Sequence, residues 1–301
     1  MSKNPLISIV IPTYNYAEKV LRAINSVLKQ LTDEHELIVI DDGSTDNTKE
    51  LLSDLQQKHS SLRVIYKENG GAASARNLGI NEACADYLVF LDADDELDDC
   101  ALEHVERHIQ EYPLSKMIIG GYTSVWPGGT KRKKSLPAPL PNQAVARVQG
   151  YLIDKTISLA NGATVMHRSI FDKGLYPEHF RNAEDLPVFA QALGNYECSI
   201  LKESIALIHK HDDSLRHNVQ YDKDVGLALV DEIFNTNRLS AEFSILKNKF
   251  VAQRALSLFR GYYTAGLYED ALEMYRAALN VDFKCIFKWS YTKKALRLIF
   301  K

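Results

Sequence analysis

The 301-residue sequence lacks several features that define other classes of protein. Its four cysteines, Cys84, Cys100, Cys198 and Cys285, lie far apart and form no C-x-x-C pair. This spacing excludes a disulfide-rich scaffold and a zinc knuckle, and it indicates reduced thiols in a cytoplasm. No apolar run approaches the length of about 18 residues that a membrane span requires, and the first run, which ends at Pro12, is too short for a signal peptide. We therefore expect a cytoplasmic protein without membrane-spanning helices.

The sequence also lacks an excess of either charge. It has 36 Lys and Arg against 39 Asp and Glu, for a formal net charge of -3. A protein whose whole surface serves nucleic acid is strongly basic, so we expect no nucleic-acid partner. Hydrophobic residues make up 46% of the chain and charged residues 25%, which is typical of a folded globular protein. The length fits one large domain, or one domain with an appendage.

Short apolar runs alternate with amphipathic stretches over the first 120 residues. The runs predict strands at 6–11, 36–41, 62–66, 87–92 and 116–120, and the stretches predict helices at 17–30, 47–58, 72–84 and 99–111. Because the strands are apolar without alternation, both of their faces are expected to be buried. This pattern predicts an α/β fold, a doubly wound and mostly parallel sheet flanked by helices. Ligands in such folds bind beyond the carboxyl ends of the strands, so the residues just after each strand matter most.

Two further segments differ from this pattern. Residues 126–141 hold four of the nine prolines, two adjacent glycines and the basic run KRKK, so we predict a long exposed loop. From about Tyr221 the chain is predicted to be helical to its end, as a C-terminal appendage.

The first two strand ends carry different polar residues. The first strand runs into IPTYN, residues 11–15, instead of the glycine-rich turn of a dinucleotide-binding dehydrogenase or the glycine-rich basic loop of a nucleotidyltransferase. The second strand ends in DDGSTD, where the adjacent carboxylates of Asp41 and Asp42 repel each other unless a donor or a cation lies nearby. A ligand with N–H or hydroxyl donors, such as a nucleoside, would supply that partner.

The fourth strand runs directly into acids, in the segment YLVFLDADD at 87–95. In an extended chain Asp92 and Asp94 point to the same side, about 7 Å apart. A hard divalent cation held by these carboxylates could bridge them to a diphosphate. The other interpretation is an acidic turn in which Asp98 caps the next helix, and the D-x-D pattern alone favours that turn.

Taken in order, four segments resemble the family 2 glycosyltransferases, which have the GT-A nucleotide-sugar-binding fold. They are IPTYN, DDGSTD, NGGAASARNLGI at 69–80 and YLVFLDADD. The resemblance is close over residues 6–97 and looser to about 220. It implies that Asp42 contacts the base and that Asp92 contacts the ribose. The full set of nucleotide-binding residues that it implies is Pro12, Tyr14, Asn15, Asp42, Arg76, Asp92 and Ala93.

The resemblance also implies a metal and a catalytic base. Asp92 and Asp94 are expected to bind Mn²⁺ or Mg²⁺ on the diphosphate, together with His211 from the segment IHKHDD. In HFRNAEDLPVFAQAL, residues 179–193, Asp185 is expected to be the base and Glu184 is the second candidate. A sugar hydroxyl must lose a proton as it attacks, and a positioned carboxylate suits that role. The other interpretation of these acids is that they cap a helix.

These features predict a metal-dependent, inverting glycosyltransferase. The donor is expected to be a UDP-sugar, with a dTDP-sugar next, and the acceptor a hydroxyl of a cell-surface glycan or a lipid-linked glycan. The GT-A domain is placed at 1–220, with a nucleotide-binding part at 1–97 and an acceptor-binding part at 98–220, followed by a helical region at 221–301. The alternative is a catalytically silent nucleotide-sugar-binding or scaffold protein.

The final segment, 283–301, combines six basic side chains with interleaved aromatic and aliphatic ones, and it contains no Asp or Glu. Such a segment suits peripheral attachment to anionic lipid at the inner face of the cell membrane. A helix packed on the core, with lysines that extend to solvent, explains the composition equally well. The sequence leaves both interpretations open.

Overall fold

The computed structural model describes residues 4–129, 131–211 and 219–300. In this part of the chain nine strands form one sheet. They are β1 (Ile7–Thr13), β2 (His35–Asp41), β3 (Leu62–Tyr66), β4 (Tyr87–Phe90), β5 (Glu96–Leu97), β6 (Met117–Val125), β7 (Arg132–Ser135), β8 (Thr164–His167) and β9 (Cys198–His209). The α-helices are α1 (Ala17–Leu28), α2 (Thr48–Lys58), α3 (Ala72–Glu82), α4 (Ala101–Glu111), α5 (Ala144–Gln149), α6 (Asp185–Asn195), α7 (Val219–Val225), α8 (Ala228–Ile233), α9 (Ser244–Thr264), α10 (Tyr268–Val281) and α11 (Trp289–Ile299).

The strands lie in the order β3-β2-β1-β4-β8-β6-β9-β5, and β7 pairs with β6. The first four strands of the chain pair in parallel, as β3 with β2, β2 with β1 and β1 with β4. β6 and β9 are also parallel, whereas β8 pairs antiparallel with both β4 and β6. The predicted α/β fold is therefore confirmed, with antiparallel pairs added in the second half of the sheet.

Both faces of the sheet are buried, as the unbroken apolar runs predict. Successive residues of a strand point to opposite faces, and Val10 and Ile38 belong to one apolar cluster while Ile9 and Leu37 belong to the other. Helix α1 buries Val20, Ala23, Ile24 and Val27, spaced three and four apart, in the second cluster. This packing fixes the strand ends on one edge of the sheet.

The basic run at 131–134 is not wholly a loop. Arg132–Ser135 forms β7, an exposed edge strand that pairs antiparallel with Tyr122–Val125 of β6. Gly128 and Gly129 take positive φ angles in the turn, and the Trp126 N–H donates to the Lys131 carbonyl at 3.1 Å. Three exposed basic side chains, Arg132, Lys133 and Lys134, lie on this edge strand, where charge discourages pairing with another chain.

The predicted helical C-terminal region is confirmed, and its helices pack in two groups. Val225, Leu229 and Phe250 join the same apolar cluster as the sheet and α6. Phe259 and Tyr275 belong to a separate cluster formed by the later helices. The domain boundary at 220 stays a prediction. None of the helices in the described part of the chain has the length and apolar character needed to cross a membrane.

Candidate active site

Three of the motifs meet at one edge of the sheet because their strands are neighbours. The order β2-β1-β4 places DDGSTD, IPTYN and YLVFLDADD side by side. Main-chain hydrogen bonds continue past the strands, from the Asp42 N–H to the Thr13 carbonyl and from the Leu91 N–H to the Val10 carbonyl, both at 2.9 Å. The carboxyl ends of these strands therefore form one continuous surface, where a ligand of an α/β sheet is expected.

Asn15 organises the loops that follow β1 and β2. Its backbone has a φ of 54°, and its side-chain Oδ1 accepts hydrogen bonds from the N–H groups of Thr45 (2.8 Å) and Asp46 (3.3 Å). The Asn15 N–H donates to Ser44 Oγ at 2.9 Å. Beside it the Tyr14 ring is 44% exposed. Tyr14 is thus accessible to solvent, and Asn15 holds the two loops together; their contact with a nucleotide stays a prediction.

Asp42 is buried, and its carboxylate is held by donors from the protein itself. It accepts hydrogen bonds from Lys67 Nζ at 2.6 Å, from the Gly70 N–H at 2.9 Å and from the Gly71 N–H at 2.7 Å. Asp42 therefore ties β2 to the loop before α3, so a nucleoside is not required as its partner, and its contact with a base stays a prediction. Sequence reasoning missed Lys67, although this lysine directly follows β3 on the same edge of the sheet.

Gly43 is the position where an added methyl group should disturb this loop. Its φ is +77°, and a Cβ atom there would lie 2.8 Å from the Asn69 backbone nitrogen. We expect Gly43→Ala to lower the free energy of unfolding by about 1 to 3 kcal/mol, measured by urea denaturation. Gly128→Ala is the control, because its φ is +83° and, chain neighbours aside, no atom of the residues that the structure describes would lie within 4 Å of its Cβ. Equal losses in both variants would show that the close approach to Asn69 contributes nothing.

Arg76 joins two of the motifs. Its side chain is buried, with Nη2 at 2.8 Å from Asp92 Oδ1 and Nη1 at 2.7 Å from Glu184 Oε1. The Tyr176 ring lies against the guanidinium, whose carbon is 5.4 Å from the ring centroid. Arg76 Nε is buried and has no hydrogen-bond partner among the described residues. The D-x-D segment and the E-D segment, 92 residues apart in sequence, thus meet through one arginine.

Asp185 is the first residue of α6 and lies in the same charged cluster. Burial and the neighbouring Glu184 carboxylate raise the pKa of Asp185 to about 6, against the lowering effect of the Arg76 guanidinium. Ala183, two residues earlier, has a φ of 60°, a strained conformation for a residue with a side chain. A carboxylate whose pKa lies close to neutral pH suits a general base.

The loop before α6 is also held by the C-terminal helices. Asn182 Nδ2 donates to Asp222 Oδ1 at 3.3 Å, and Arg254 Nη2 lies 3.3 Å from the same oxygen. Asp222 belongs to α7 and Arg254 to α9. Sequence reasoning missed both residues, and no local pattern marks them.

Asp94 and His211 form the second polar contact of the site. Asp94 Oδ2 makes a short hydrogen bond to His211 Nε2, and His211 Nδ1 is buried without a partner in the described part of the chain. The adjacent Asp95 accepts a hydrogen bond from the His209 N–H at 2.8 Å. Burial, together with the charges of Asp92 and Asp94, raises the pKa of Asp95 to about 8. Ala93 is buried beneath these acids, in the apolar cluster on one face of the sheet.

The predicted metal ligands are brought together only in part. Within residues 4–129, 131–211 and 219–300, no group of three or more His, Cys, Asp or Glu side chains is placed to hold a metal. Asp92 faces Arg76, whereas Asp94 and His211 contact each other. One carboxylate and one imidazole suit Mn²⁺ when a diphosphate and water supply the remaining ligands. A cleft of about 380 Å³ lies beside this pair, lined also by Lys19, Arg22 and Lys210.

Comparison with known proteins is decisive for the family. The family model described as "Glycosyl transferase family 2" matches residues 8–175, more than half of the chain. The chain belongs to this family. Among the solved structures similar to this family 2 chain are those of S. aureus TarS 1-349, in complex with UDP-GlcNAc and with UDP. Each has a TM-score of 0.68, with 19% and 18% identity, and the alignments cover 97% of this chain and 89% and 88% of TarS. The likeness confirms the predicted GT-A fold.

Relatives at the sequence level are glycosyltransferases by name. GlyG of Streptococcus pneumoniae serotype 4 is 36% identical over 118 residues, which is 39% of either chain. EpsJ of Bacillus subtilis, called an uncharacterized glycosyltransferase, is 26% identical over 223 residues, covering 70% of this chain and 63% of EpsJ. TuaG of B. subtilis, a putative teichuronic acid biosynthesis glycosyltransferase, is 34% identical over 136 residues, covering 45% of this chain and 54% of TuaG. This family 2 chain therefore spans less than two thirds of the length of these relatives.

Proposed function

We propose that this protein is an inverting glycosyltransferase that moves a sugar from a nucleoside diphosphate sugar to a hydroxyl group. The observation that carries the proposal is the Arg76 bridge, which links Asp92 of the D-x-D segment to Glu184 beside Asp185. The acids proposed to bind the donor and the proposed base are thereby close to one another. Family membership over residues 8–175 supports the same reaction class.

A UDP-sugar is the proposed donor, and a dTDP-sugar is the second candidate. TarS, which has the same fold, has been solved with UDP and with UDP-GlcNAc. In our proposal the pyrimidine ring of the nucleotide lies between Tyr14 and the loop held by Asp42. Pro12 and Asn15 form the wall of that pocket. The diphosphate then lies toward Asp94, and Arg76 keeps Asp92 oriented on the ribose side.

In the proposed reaction the chain itself provides the base and the orientation of the donor. Asp185 takes the proton of the acceptor hydroxyl as its oxygen attacks the anomeric carbon, while Glu184 stays paired with Arg76. The bond from the anomeric carbon to the diphosphate oxygen breaks on the opposite face, so the configuration inverts. Asp94 and His211 would hold Mn²⁺ or Mg²⁺, which supplies charge neutralisation on the departing diphosphate.

The proposed acceptor is a cell-surface glycan or a lipid-linked glycan. The name of TuaG, which refers to teichuronic acid biosynthesis, supports a polysaccharide acceptor. A reaction of this kind fits a protein located in the cytoplasm and working at the inner face of the membrane.

A thermal-shift experiment tests donor binding and the metal ligand. We expect UDP with Mn²⁺ to raise the melting temperature of the wild-type protein, and Asp94→Asn to remove the Mn²⁺-dependent part of the shift. Asp99→Asn, an exposed acid of the same acidic run, is the control and should behave as wild type. The proposal is wrong if no nucleoside diphosphate shifts the melting temperature, or if Asp94→Asn leaves the shift intact.

The alternative, a silent nucleotide-sugar-binding or scaffold protein, makes a different prediction. It should bind the donor in Mn²⁺ but show neither sugar transfer nor slow donor hydrolysis, and Asp185→Asn should change nothing that can be measured.

A further inference from the structure

In the last described segment, 283–300, most of the large apolar side chains are exposed to solvent. Four of its five aromatic residues, Phe283, Phe287, Trp289 and Phe300, are 66–83% exposed. Its buried residues are small, namely Cys285, Thr292 and Ala295, and Tyr291 and Leu298 are partly buried beside them. The segment therefore turns its greatest apolar area outward.

Specific contacts hold the segment in this orientation. Thr292 Oγ1 hydrogen bonds to Tyr275 Oη at 2.7 Å and donates to the Ile286 carbonyl at 2.6 Å. The Tyr291 ring packs on Phe259, with the ring centroids 5.9 Å apart. These contacts fix the inner face of α11 on α9 and α10. The interpretation of a helix packed on the rest of the protein therefore holds for this inner face, while the side chains on the outer face remain without a packing partner in the described part of the chain.

The outward side chains form an ordered pattern. Trp289, Leu296 and Phe300 are spaced seven and four residues apart, which places them in one row along α11. Lys293 and Arg297 lie along one side of this row at the same helical spacing, and both are exposed. An apolar row with basic residues at its edge is typical of helices that lie in a membrane interface.

Charge decides which partner fits this surface. Lys284, Lys288, Lys293 and Arg297 are all exposed, and 283–300 contains no Asp or Glu. A second copy would oppose the same cations to each other without an acid to pair them, which is unfavourable. Anionic lipid headgroups provide the complementary charge, and the acyl boundary accommodates the aromatic rings.

We propose that 283–300, here called the aromatic-basic surface, docks the protein peripherally on an anionic bilayer. Phe283, Phe287 and Trp289 lie at headgroup depth, and the four exposed basic side chains contact lipid phosphates. This inference goes beyond the proposed function and does not depend on donor chemistry. Docking would hold the proposed active site at the membrane surface. A lipid-linked acceptor is located in that membrane.

Vesicle sedimentation with the full chain tests the docking surface. We expect binding to vesicles of phosphatidylcholine mixed with phosphatidylglycerol, and little binding to phosphatidylcholine alone. Lys293→Ser with Arg297→Ser should lower the partition coefficient about 25-fold, since each basic residue near the surface contributes about a fivefold effect. Phe287→Ser with Phe300→Ser should lower it at least about tenfold, because two exposed rings no longer enter the interface.

Matched controls separate this surface from general charge and general apolar exposure. Lys133→Ser with Lys134→Ser removes two exposed cations of β7, and Leu114→Ser removes a side chain that is 72% exposed. Both controls should bind the vesicles as wild type does, and the UDP-induced thermal shift should be the same in every variant.

Three results would overturn the proposal. The first is equal sedimentation with neutral and anionic vesicles. The second is a loss of binding in the β7 control as large as that in the α11 variant. The third is a dimer, seen by light scattering, that the Phe287 and Phe300 substitutions dissociate, since that result assigns the surface to a second copy.

Discussion

Replacing Asp185 with asparagine is expected to lower the rate of sugar transfer by about 10²- to 10⁴-fold. The substitution keeps the size of the side chain but removes the group that accepts the hydroxyl proton. UDP affinity should remain close to that of wild type, because Asp185 is assigned to the acceptor side of the reaction. Initial rates with a UDP-sugar, alongside UDP binding by calorimetry, separate the two effects.

The pH dependence of transfer gives a second readout of the same residue. The base works in its ionised form, and the pKa of Asp185 is raised to about 6. Transfer should therefore fall as the pH drops through about 6 and should level off above it.

The raised pKa of Asp185 also means that this group contributes less to the stability of the folded state as the pH rises from about 4 to about 6. Asp185→Asn should thus be more stable relative to wild type at pH 7 than at pH 4, as expected where function is retained at a cost in stability.

The neighbouring acid provides the test of assignment. Glu184 is ion-paired with Arg76 at 2.7 Å, so one of its carboxylate oxygens already accepts a hydrogen bond from the guanidinium. Asp54→Asn, on the exposed face of α2, is the control and should retain full activity. If Asp185→Asn transfers sugar normally while Glu184→Gln does not, the base is Glu184 and our assignment is wrong.

The predictable parts of the fold and site are those that depend on local sequence. An unbroken apolar run followed by acids predicts a buried strand and a polar strand end, which is why Asp42, Asp92 and Asp94 could be placed at one edge of the sheet. The Arg76 contact with Glu184 spans 108 residues and depends on how α6 packs, so no local pattern predicts it. The edge strand β7 was missed because its pairing with β6 outweighs the flanking prolines.

The motifs also predict only part of the contacts that the acids of the site make. The sequence predicts that adjacent acids need donors, but it does not show that Lys67 and two backbone N–H groups already supply them to Asp42. Similarly, D-x-D predicts two carboxylates for a metal, whereas the structure directs Asp92 to Arg76 and leaves Asp94 with His211. Lys67 occupies Asp42 and Arg76 occupies Asp92, and both basic residues lie outside the motif of the acid that they contact. Contacts of this kind limit which acids are available to a ligand.

Arg76 should be a sensitive position for stability, because its buried guanidinium pairs with two carboxylates. We expect Arg76→Met to lower the free energy of unfolding by about 3 to 5 kcal/mol, because removing one partner leaves a buried carboxylate without its cation. Urea denaturation at neutral pH measures this loss. Arg63→Met is the control, since Arg63 pairs with Glu82 at the exposed surface and should change stability by about 1 kcal/mol or less.

A second substitution in the Arg76→Met background then shows which carboxylate causes the loss. The Glu184 side chain is 14% exposed and the Asp92 side chain is 37% exposed, so water stabilises an unpaired Asp92 far better. Glu184→Gln should therefore recover most of the lost stability, and Asp92→Asn should recover less. The reverse order would mean that the D-x-D segment depends on Arg76 more than the E-D segment does. A variant Arg76→Met as stable as wild type would mean that neither carboxylate needs the arginine, and the bridge on which the proposed site rests would have no energetic role.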